Sequence, residues 1–191
     1  EITPGSRTLD NPGDLKVIGN STPRGSFGIN TGISYKNFSV TAFFQGVLKR
    51  DYWPSDGNWT QFFPFNAGHV EWYFITDTWS EDNRDAYFPA PHISTNDKKN
   101  VQTQTRYLQN AAYVRLKDLS ISYDFSPDLL DRIGIGQLQV YVRGMNLWEY
   151  SSIRKPLDPE SLWGGIGGFG GNGAMRYPLQ RVFTLGTRIS I

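Results

Sequence analysis

The stretch RVFTLGTRISI, residues 181–191, largely alternates apolar and polar side chains. Phe183, Leu185 and Ile189 share one parity, whereas Thr184 and Arg188 share the other. A period of two residues predicts a β-strand with one apolar face and one mostly polar face. Two kinds of protein use such a strand. A soluble sheet covers a core with its apolar face, and a membrane barrel turns its apolar face to lipid and its polar face to water.

The same alternation occurs in four further stretches of the chain. The predicted strands are residues 26–36, 38–49, 112–125, 137–148 and 180–191. Most strands of soluble proteins have about five or six residues, and these are about twice as long. Eleven residues, tilted by about 40°, rise roughly 27 Å, which is close to the height of the apolar band of a membrane barrel. The lengths therefore favour the membrane environment.

Composition narrows the range of functions. The chain has 191 residues, a net charge of +1 and no cysteine. A nearly neutral chain gives no reason to expect a nucleic-acid partner, and the lack of cysteine excludes disulfides and thiol nucleophiles from this sequence. It has no run of 18 apolar residues that would predict a transmembrane helix. It also lacks the Gly-x-Ser-x-Gly pattern of a serine nucleophile. We therefore expect no enzymatic activity.

The connections between the predicted strands differ in length in a regular way. Residues 36–38 and 126–136 provide short connections, whereas residues 50–111 and 149–179 provide long ones. If each strand reverses direction, both short connections lie at one end of the sheet and both long connections lie at the other. Outer-membrane barrels have this asymmetry, with short periplasmic turns and long extracellular loops. The two long segments are therefore predicted to be extracellular loops.

Five strands cannot close a membrane barrel, because the smallest known barrels have eight. An open sheet edge in lipid would leave backbone groups without hydrogen-bond partners. The fold class is therefore predicted as all-β, an antiparallel transmembrane β-barrel segment that belongs to a larger barrel.

Five motifs carry a resemblance to a known family. In chain order they are VIGNSTPRGSFGINTGISYKNFSVTAFFQGVLKRDYWP, TDTWSEDNRDAYFP, TRYLQNAAYVRLKDLSISYDF, VYVRGMNLW and YPLQRVFTLGTRISI. Together they extend across residues 10–191 and resemble the last third of SusC/RagA-family TonB-dependent transporters.

The resemblance implies a 22-stranded outer-membrane barrel of which residues 1–191 supply the last five strands. It also implies a plug domain and a TonB-contacting segment, both expected to lie outside these residues. Proteins of this family import oligosaccharides or peptides. The implied partners are the rest of the barrel and its plug, a SusD-like surface lipoprotein, TonB through the plug region, and the lipid of the bacterial outer membrane.

Aromatic residues are the candidates for contact with a substrate or with the lipoprotein lid. Four of the six tryptophans lie in the first long loop, and a glycine-dense stretch, WGGIGGFGGNG (163–173), supplies two more aromatic residues. The candidates are Trp53, Trp59, Trp72, Trp79, Trp163 and Phe169. Trp and Tyr suit interfaces because they combine a large apolar area with a polar handle. The same residues could instead form a small core within the loop itself.

Charged residues on the polar parity are predicted to face the lumen of the barrel. They are Lys49, Asp118, Arg143 and Arg188. His69 and His92 are not spaced as metal ligands, so no metal site and no cofactor are expected. One calcium ion bound by loop carboxylates is a minor alternative, with Asp56, Asp82, Asp85 and Asp97 as the candidate ligands.

Two other functions fit parts of the pattern. A soluble secreted β-sandwich could bind glycans through the aromatic loop, because its strands would show the same alternation. An adhesin or passive porin of the outer membrane would differ from the transporter only by lacking a plug domain.

Overall fold

A computed structural model describes residues 5–6, 8, 10–53, 72–90, 104–155, 157–162 and 179–190. The chain divides into two compact units. The first comprises Glu1–Ser21 and Tyr52–Leu108, and the second comprises Thr22–Asp51 and Gln109–Ile191.

The second unit is built on one antiparallel sheet. Its strands are β1 (Ser26–Tyr35), β2 (Phe38–Val47), β5 (Tyr113–Asp124), β6 (Gln137–Ser151) and β7 (Val182–Ser190). They are hydrogen-bonded in the order β1-β2-β5-β6-β7, which is also their order along the chain. Two short strands, β3 (Asp51–Tyr52) and β4 (Gln109–Asn110), pair separately.

The strand bounds differ from the sequence prediction mainly at the ends. β1, β2 and β6 begin at residues 26, 38 and 137, as predicted. β6 continues to Ser151, three residues beyond the predicted end at 148, because the alternation of apolar and polar residues continues there. β2 ends at Val47, two residues before the predicted end at 49.

The register separates the side chains onto two faces. Ile33 is opposite Val40, which is opposite Ile121, and Val142 continues the same row into β6. We call this surface the apolar face. Its large members are Phe27, Ile29, Ile33, Tyr35, Phe38, Val40, Phe44, Val114, Leu116, Leu119, Ile121, Tyr123, Leu138, Val140, Val142, Trp148, Tyr150, Phe183, Leu185 and Ile189. Many of these side chains are exposed, Leu185 at 75% and Ile33 at 71%.

The opposite surface is the polar face. The row that contains Thr41, Ser120 and Arg143 defines it across β2, β5 and β6. Its polar members are Asn30, Ser34, Ser39, Thr41, Gln45, Arg115, Lys117, Asp118, Ser120, Ser122, Asp124, Gln139, Tyr141, Arg143, Glu149, Thr184 and Arg188.

A β-bulge interrupts this alternation in β5. Phe43 is opposite Asp118, and the next residue, Phe44, is opposite Leu116, so Lys117 is the extra residue. A bulge places two residues against one on the partner strand. Because of it, Arg115 lies on the polar face although its parity along the chain is that of Ile121 on the apolar face.

The two short connections are tightly folded. Tyr35 pairs with Phe38, so Lys36 and Asn37 form a two-residue hairpin turn, with Lys36 at a φ of 53°. In the other connection, helix α2 (Pro127–Leu130) is followed by a 3-10 turn, Asp131–Ile133. Ser126 precedes the helix, but its side chain makes no capping hydrogen bond, and its carbonyl accepts from the Leu129 N–H at 3.1 Å.

The first unit contains helix α1 (Trp72–Thr76), a 3-10 turn at Thr105–Tyr107 and an irregular segment at residues 77–90. Within it, the Asp77 carboxylate accepts from the Tyr87 N–H at 3.0 Å, and the Asp77 carbonyl accepts from the Phe88 N–H at 3.0 Å. Phe88 and Tyr107 are almost fully buried. This unit therefore has a small apolar core of its own.

The sandwich alternative requires a second sheet against the apolar face. Across the described ranges the only other sheet is the pair β3-β4, whose strands have two residues each. No helix in the described part of the chain is long and apolar enough to cross a membrane.

Candidate functional site

A group of charged residues in the second unit surrounds Arg115, near the start of β5. Arg115 is 3% exposed, and its guanidinium contacts three carboxylates. We use the name Arg115 cluster for Arg115, Lys117, Glu149, Asp158 and Glu160. These five residues come from two strands and from the segment that follows β6, so residues distant in sequence meet at one point.

The strands supply the first part of this cluster. Glu149 is directly opposite Arg115 in the β5–β6 ladder, which puts both side chains on the polar face. Their charged groups form an ion pair. Lys117, the extra residue of the bulge, donates to both Glu160 oxygens at 2.9 and 3.0 Å. In a regular strand, Arg115 and Lys117 would lie on the face opposite to that of Asp118. The bulge allows Arg115 and Asp118 to share the polar face, with Lys117 between them.

The segment after β6 supplies the other carboxylates. Asp158 Oδ1 accepts from Arg115 Nη2 at 2.8 Å, and Glu160 Oε2 accepts from Arg115 Nη1 at 2.5 Å. The planar guanidinium has five donors in a fixed arrangement, so several carboxylates can bind it at once. The cluster thus fixes residues 157–162 against the polar face.

Asp158 is a second centre of hydrogen bonds. Its Oδ1 also accepts from the Glu160 N–H at 2.9 Å, and its Oδ2 accepts from the Leu179 N–H at 3.2 Å. Burial disfavours the charged carboxylate, but the hydrogen bonds from Glu160, Arg115 and Leu179 outweigh that effect. They hold the pKa of Asp158 below its ordinary value.

The segment carried by these bonds is itself buried. Leu157 and Leu162 are 9% and 0% exposed, and Pro159 is almost fully enclosed. Arg50 donates to the Leu162 carbonyl, and the Asp158 carbonyl accepts from the N–H of Ser161 at 3.1 Å. Residues 157–162 are therefore a loop segment with an interior, apolar on one side and ion-paired on the other.

The predicted lumen-facing residues occupy different positions. Asp118 is opposite Met145 and Arg143 is opposite Ser120, so Asp118 and Arg143 are diagonal neighbours on β5 and β6. Arg143 Nε donates to Asp118 Oδ2 at 2.5 Å. The Arg143 side chain is half exposed.

The other two predicted lumen residues lie apart from that pair. Arg188 is opposite Gln139 at the polar face of β7. Lys49 lies beyond the end of β2, so its side chain belongs to neither face of the sheet. Its carbonyl accepts from the Arg24 N–H at 2.9 Å.

The aromatic candidates are divided between packed and exposed positions. Trp53 packs against Tyr107 with ring centroids 6.2 Å apart, so it belongs to the small core of the first unit. Trp72 is 75% exposed on α1, and Trp79 is 43% exposed. Trp59, Trp163 and Phe169 lie outside the described residues.

The calcium alternative has only two of its four carboxylates within the described ranges, Asp82 and Asp85, and both are exposed. Asp56 and Asp97 fall outside them. Of the residues that the structure describes, no three His, Cys, Asp or Glu side chains form a group that could hold a metal ion.

Sequence reasoning did not select the Arg115 cluster. Alternation along β5 puts Arg115 and Lys117 in the same parity as Leu119, Ile121 and Tyr123, which are apolar. That conflict, followed by the adjacent charged pair Lys117–Asp118, was the available signal of a bulge. Asp158 and Glu160 lie in a segment without periodicity and gave no signal of their own.

Two curated proteins of Formosa agariphila are similar to this chain. TonB-dependent receptor P3 is 28% identical over 178 residues, which is 91% of this chain and 17% of that protein. TonB-dependent receptor P26 is 25% identical over 189 residues, 93% of this chain and 18% of that protein. The chain thus spans less than a fifth of the length of these relatives. No family model matches it.

Two solved structures have a fold similar to that of this chain. The RagAB peptide transporter is 25% identical, with a TM-score of 0.64 over 93% of this chain and 18% of that chain. The open-open state of the RagAB peptide importer is 24% identical, with a TM-score of 0.63 over 100% of this chain and 20% of that chain. By name, these similar proteins are receptors and transporters.

Proposed function

Because the chain is a segment of a SusC/RagA-family TonB-dependent transporter, we propose that its five-stranded sheet is part of the wall of an outer-membrane β-barrel. The observation that carries the proposal is the division of the sheet into an apolar face and a polar face. The apolar face contacts lipid, and the polar face lines the lumen.

The dimensions of the sheet agree with this role. β1 and β2 have ten residues each, and ten residues tilted by about 40° rise roughly 25 Å, which matches the apolar band of a barrel. Aromatic side chains lie at the ends of the strands. The Phe38 and Tyr123 rings are 4.7 Å apart at the end with the short turns, where a barrel carries one of its two aromatic girdles.

The outer strands of the sheet support a larger barrel. Within the described residues, β1 pairs only with β2, and β7 pairs only with β6. In lipid, an unpaired strand edge leaves N–H and C=O groups without partners, which is costly. The remaining strands of the transporter are therefore proposed to pair with β1 and β7 and to close a 22-stranded barrel around a plug.

The direction of the sheet follows from its connections. The turn at Lys36 and Asn37 and the α2 connection lie at one end and face the periplasm, as short turns do in outer-membrane barrels. The two long connections, about residues 50–111 and 149–179, are then proposed to be extracellular loops on the side from which substrate arrives.

The transporter is proposed to import oligosaccharides or peptides and to perform no covalent chemistry. The word peptide in the names of the RagAB structures supports peptides as one of the two classes. A SusD-like lipoprotein would cover the extracellular end, and TonB would act through the plug. Trp72 and Trp79, exposed in the first unit, are the proposed contacts to substrate or lipoprotein among the described aromatics.

Membrane fractionation of cells that express the full-length transporter tests this proposal. The protein is expected in the outer-membrane fraction, soluble only with detergent, and its folded barrel should migrate differently from the boiled protein in a gel. Recovery in the aqueous fraction without detergent would contradict it. For the substrate, a deletion strain should lose growth on either a casein peptide digest or a mixed oligosaccharide pool as its sole source.

A further inference from the structure

We propose that the Arg115 cluster is a permanent clasp that holds residues 157–162 folded inward over the polar face, where they narrow the channel at its extracellular end. This inference rests on the proposed function for one point only, the identification of the polar face with the channel wall. The existence of the clasp follows from the contacts alone.

The first argument is that four of the six residues 157–162 are buried, although they form part of a connection between strands. Connections usually run over the surface, because a buried loop needs partners for its backbone polar groups. Here those partners exist. The Leu162 carbonyl accepts from Arg50, and the Asp158 carbonyl accepts from the N–H and the hydroxyl of Ser161. The segment therefore has a defined place inside the unit.

The second argument is that Asp158 joins two points that are far apart along the chain. One oxygen binds Arg115 on β5, and the other accepts from the N–H of Leu179, which lies shortly before β7 begins. One carboxylate thus ties the segment after β6 to β5 and to the approach to β7. The start and the end of the β6–β7 connection meet at this side chain.

The third argument concerns the kind of interaction. Buried ion pairs are costly to desolvate and are often no more stabilising than apolar contacts, so stability alone does not explain them. They are, however, directional, since a guanidinium binds carboxylates only in the plane of its donors. Arg115 with three carboxylates therefore specifies the position of residues 157–162 more sharply than apolar packing would.

The consequence for transport is that residues 157–162 belong to the fixed wall. Arg115 and Asp158 are both less than 10% exposed, so neither is available to bind a passing substrate. Their role is to position residues 157–162. These residues in turn limit the free width of the channel at this level.

Hydrogen–deuterium exchange on the full-length transporter in detergent tests the clasp. Asp158→Ala removes both acceptor oxygens, and Asp158→Asn keeps one acceptor but removes the charge. Asp124→Ala is the matched control, because Asp124 binds Gln139 at 2.8 Å at the opposite end of β5 and is exposed. Peptides that contain residues 157–162 and Leu179 are the readout, and peptides of β1 and β2 report on the barrel.

With Asp158→Ala, the peptides containing residues 157–162 and Leu179 are expected to exchange at least about tenfold faster, because charge-assisted hydrogen bonds are lost. Asp158→Asn should give an intermediate rate, and Asp124→Ala should match the wild-type protein. The β1 and β2 peptides should keep their wild-type rates in all three variants.

Unchanged protection of residues 157–162 and Leu179 in Asp158→Ala, with the barrel peptides also unchanged, would refute the clasp and leave the transporter assignment standing. If Asp158→Ala does not accumulate, Asp158→Asn decides in the same way. Failure of the proposed function is a separate result, because it would appear as wild-type protein outside the outer membrane.

Discussion

At the scale of single residues, two arginines on the same face of the sheet are bound very differently. Arg115 has a side chain that is 4% exposed and contacts three carboxylates, whereas the Arg143 side chain is 50% exposed and pairs with one described carboxylate, that of Asp118. Breaking a buried charge network leaves unpaired charges away from water, but an exposed pair is replaced by solvent at little cost. The contribution of each arginine to stability is therefore set more by its burial than by the number of its bonds.

Replacing each arginine by methionine should show this difference. We expect Arg115→Met to destabilise the proposed barrel by about 3 kcal/mol or more, because three carboxylates lose their shared cation. Arg143→Met should cost about 1 kcal/mol or less. Urea unfolding of the full-length transporter in detergent, followed by the gel shift of the folded barrel, measures both. Equal losses of unfolding free energy in the two variants would show that the buried ion pairs of Arg115 contribute no more to stability than the exposed pair of Arg143.

Asp158 should make part of the stability depend on pH. Its pKa in the folded protein lies below the ordinary value of 3.8, so its ionised form contributes stability that is fully present above that pH. The contribution is lost as the pH falls through 3.8 towards the folded pKa. The unfolding temperature of the wild type should therefore exceed that of Asp158→Asn at pH 6, and the difference should shrink at pH 3. Arg115 and Glu160 face the same carboxyl, and a constant difference would mean that they, and not the charge of Asp158, control it.

A glycine on the polar face makes room for an aromatic ring. A Cβ on Gly186 would clash with Cζ of the Tyr141 ring and would lie 2.5 Å from its hydroxyl oxygen and 2.8 Å from its Cε1, so Gly186→Ala must displace that ring. We expect a loss of about 1–2 kcal/mol. Gly32→Ala is the control on the same face, since its Cβ would make ordinary contacts at 3.5 and 3.6 Å. The loss should largely vanish in a Tyr141→Ala background, and its persistence there would exclude the ring as the cause.

At the scale of the elements, the bulge in β5 explains both what sequence reasoning found and what it missed. Strands with regular alternation, such as β1 and β7, can be located from their pattern because a period of two has a single interpretation. The Arg115 cluster could not be, because one extra residue at Lys117 reverses the parity of everything before it. The carboxylates of Asp158 and Glu160 meet Arg115 through tertiary folding, which no local pattern encodes.

Deleting single residues from β5 should distinguish the bulge residue from a residue in the regular part of the strand. Without Lys117, Leu116 and Asp118 become neighbours on opposite faces, so the side chains of β5 keep their faces opposite β2, and the bonds from Lys117 to Glu160 are lost. Deleting Ser120 instead moves one part of the strand to the wrong faces. We expect the first variant to assemble in the outer membrane with reduced stability and the second to be degraded. Immunoblots of outer-membrane fractions measure this, and equal amounts of the two would contradict the assigned bulge.

At the scale of the whole molecule, the apolar face is the largest feature that the described residues leave uncovered. Exposed contiguous apolar surface on a protein marks an interaction with another apolar phase. In the proposed barrel that phase is lipid, and the polar residues on the reverse side are hydrated. We therefore expect the sheet to be stable within the proposed barrel and not as an isolated segment in water.

An arginine placed on each face in turn should distinguish lipid from water. Leu119, near the middle of β5, is on the apolar face, and its neighbour Ser120 is on the polar face. Leu119→Arg is expected to cost about 2–4 kcal/mol, because a charged group near the middle of a bilayer is poorly solvated. Ser120→Arg should cost less than about 1 kcal/mol, as is usual for a hydrated position. Unfolding in lipid vesicles gives both values, and equal values would show that the two faces have the same surroundings.

The order of pairing in the sheet has a kinetic consequence. β1 and β2 are joined by two residues, and β5 and β6 by one short connection, so each pair can form as a local hairpin. β2 and β5 meet only after Val47 and Tyr113 are brought together across a far longer stretch of chain. Since closing a longer loop costs more entropy and long-range pairing is slow, the two hairpins are expected to form before β2 pairs with β5. An assembly intermediate of this sheet is thus expected to contain the β1–β2 and β5–β6 hairpins without hydrogen bonds between them.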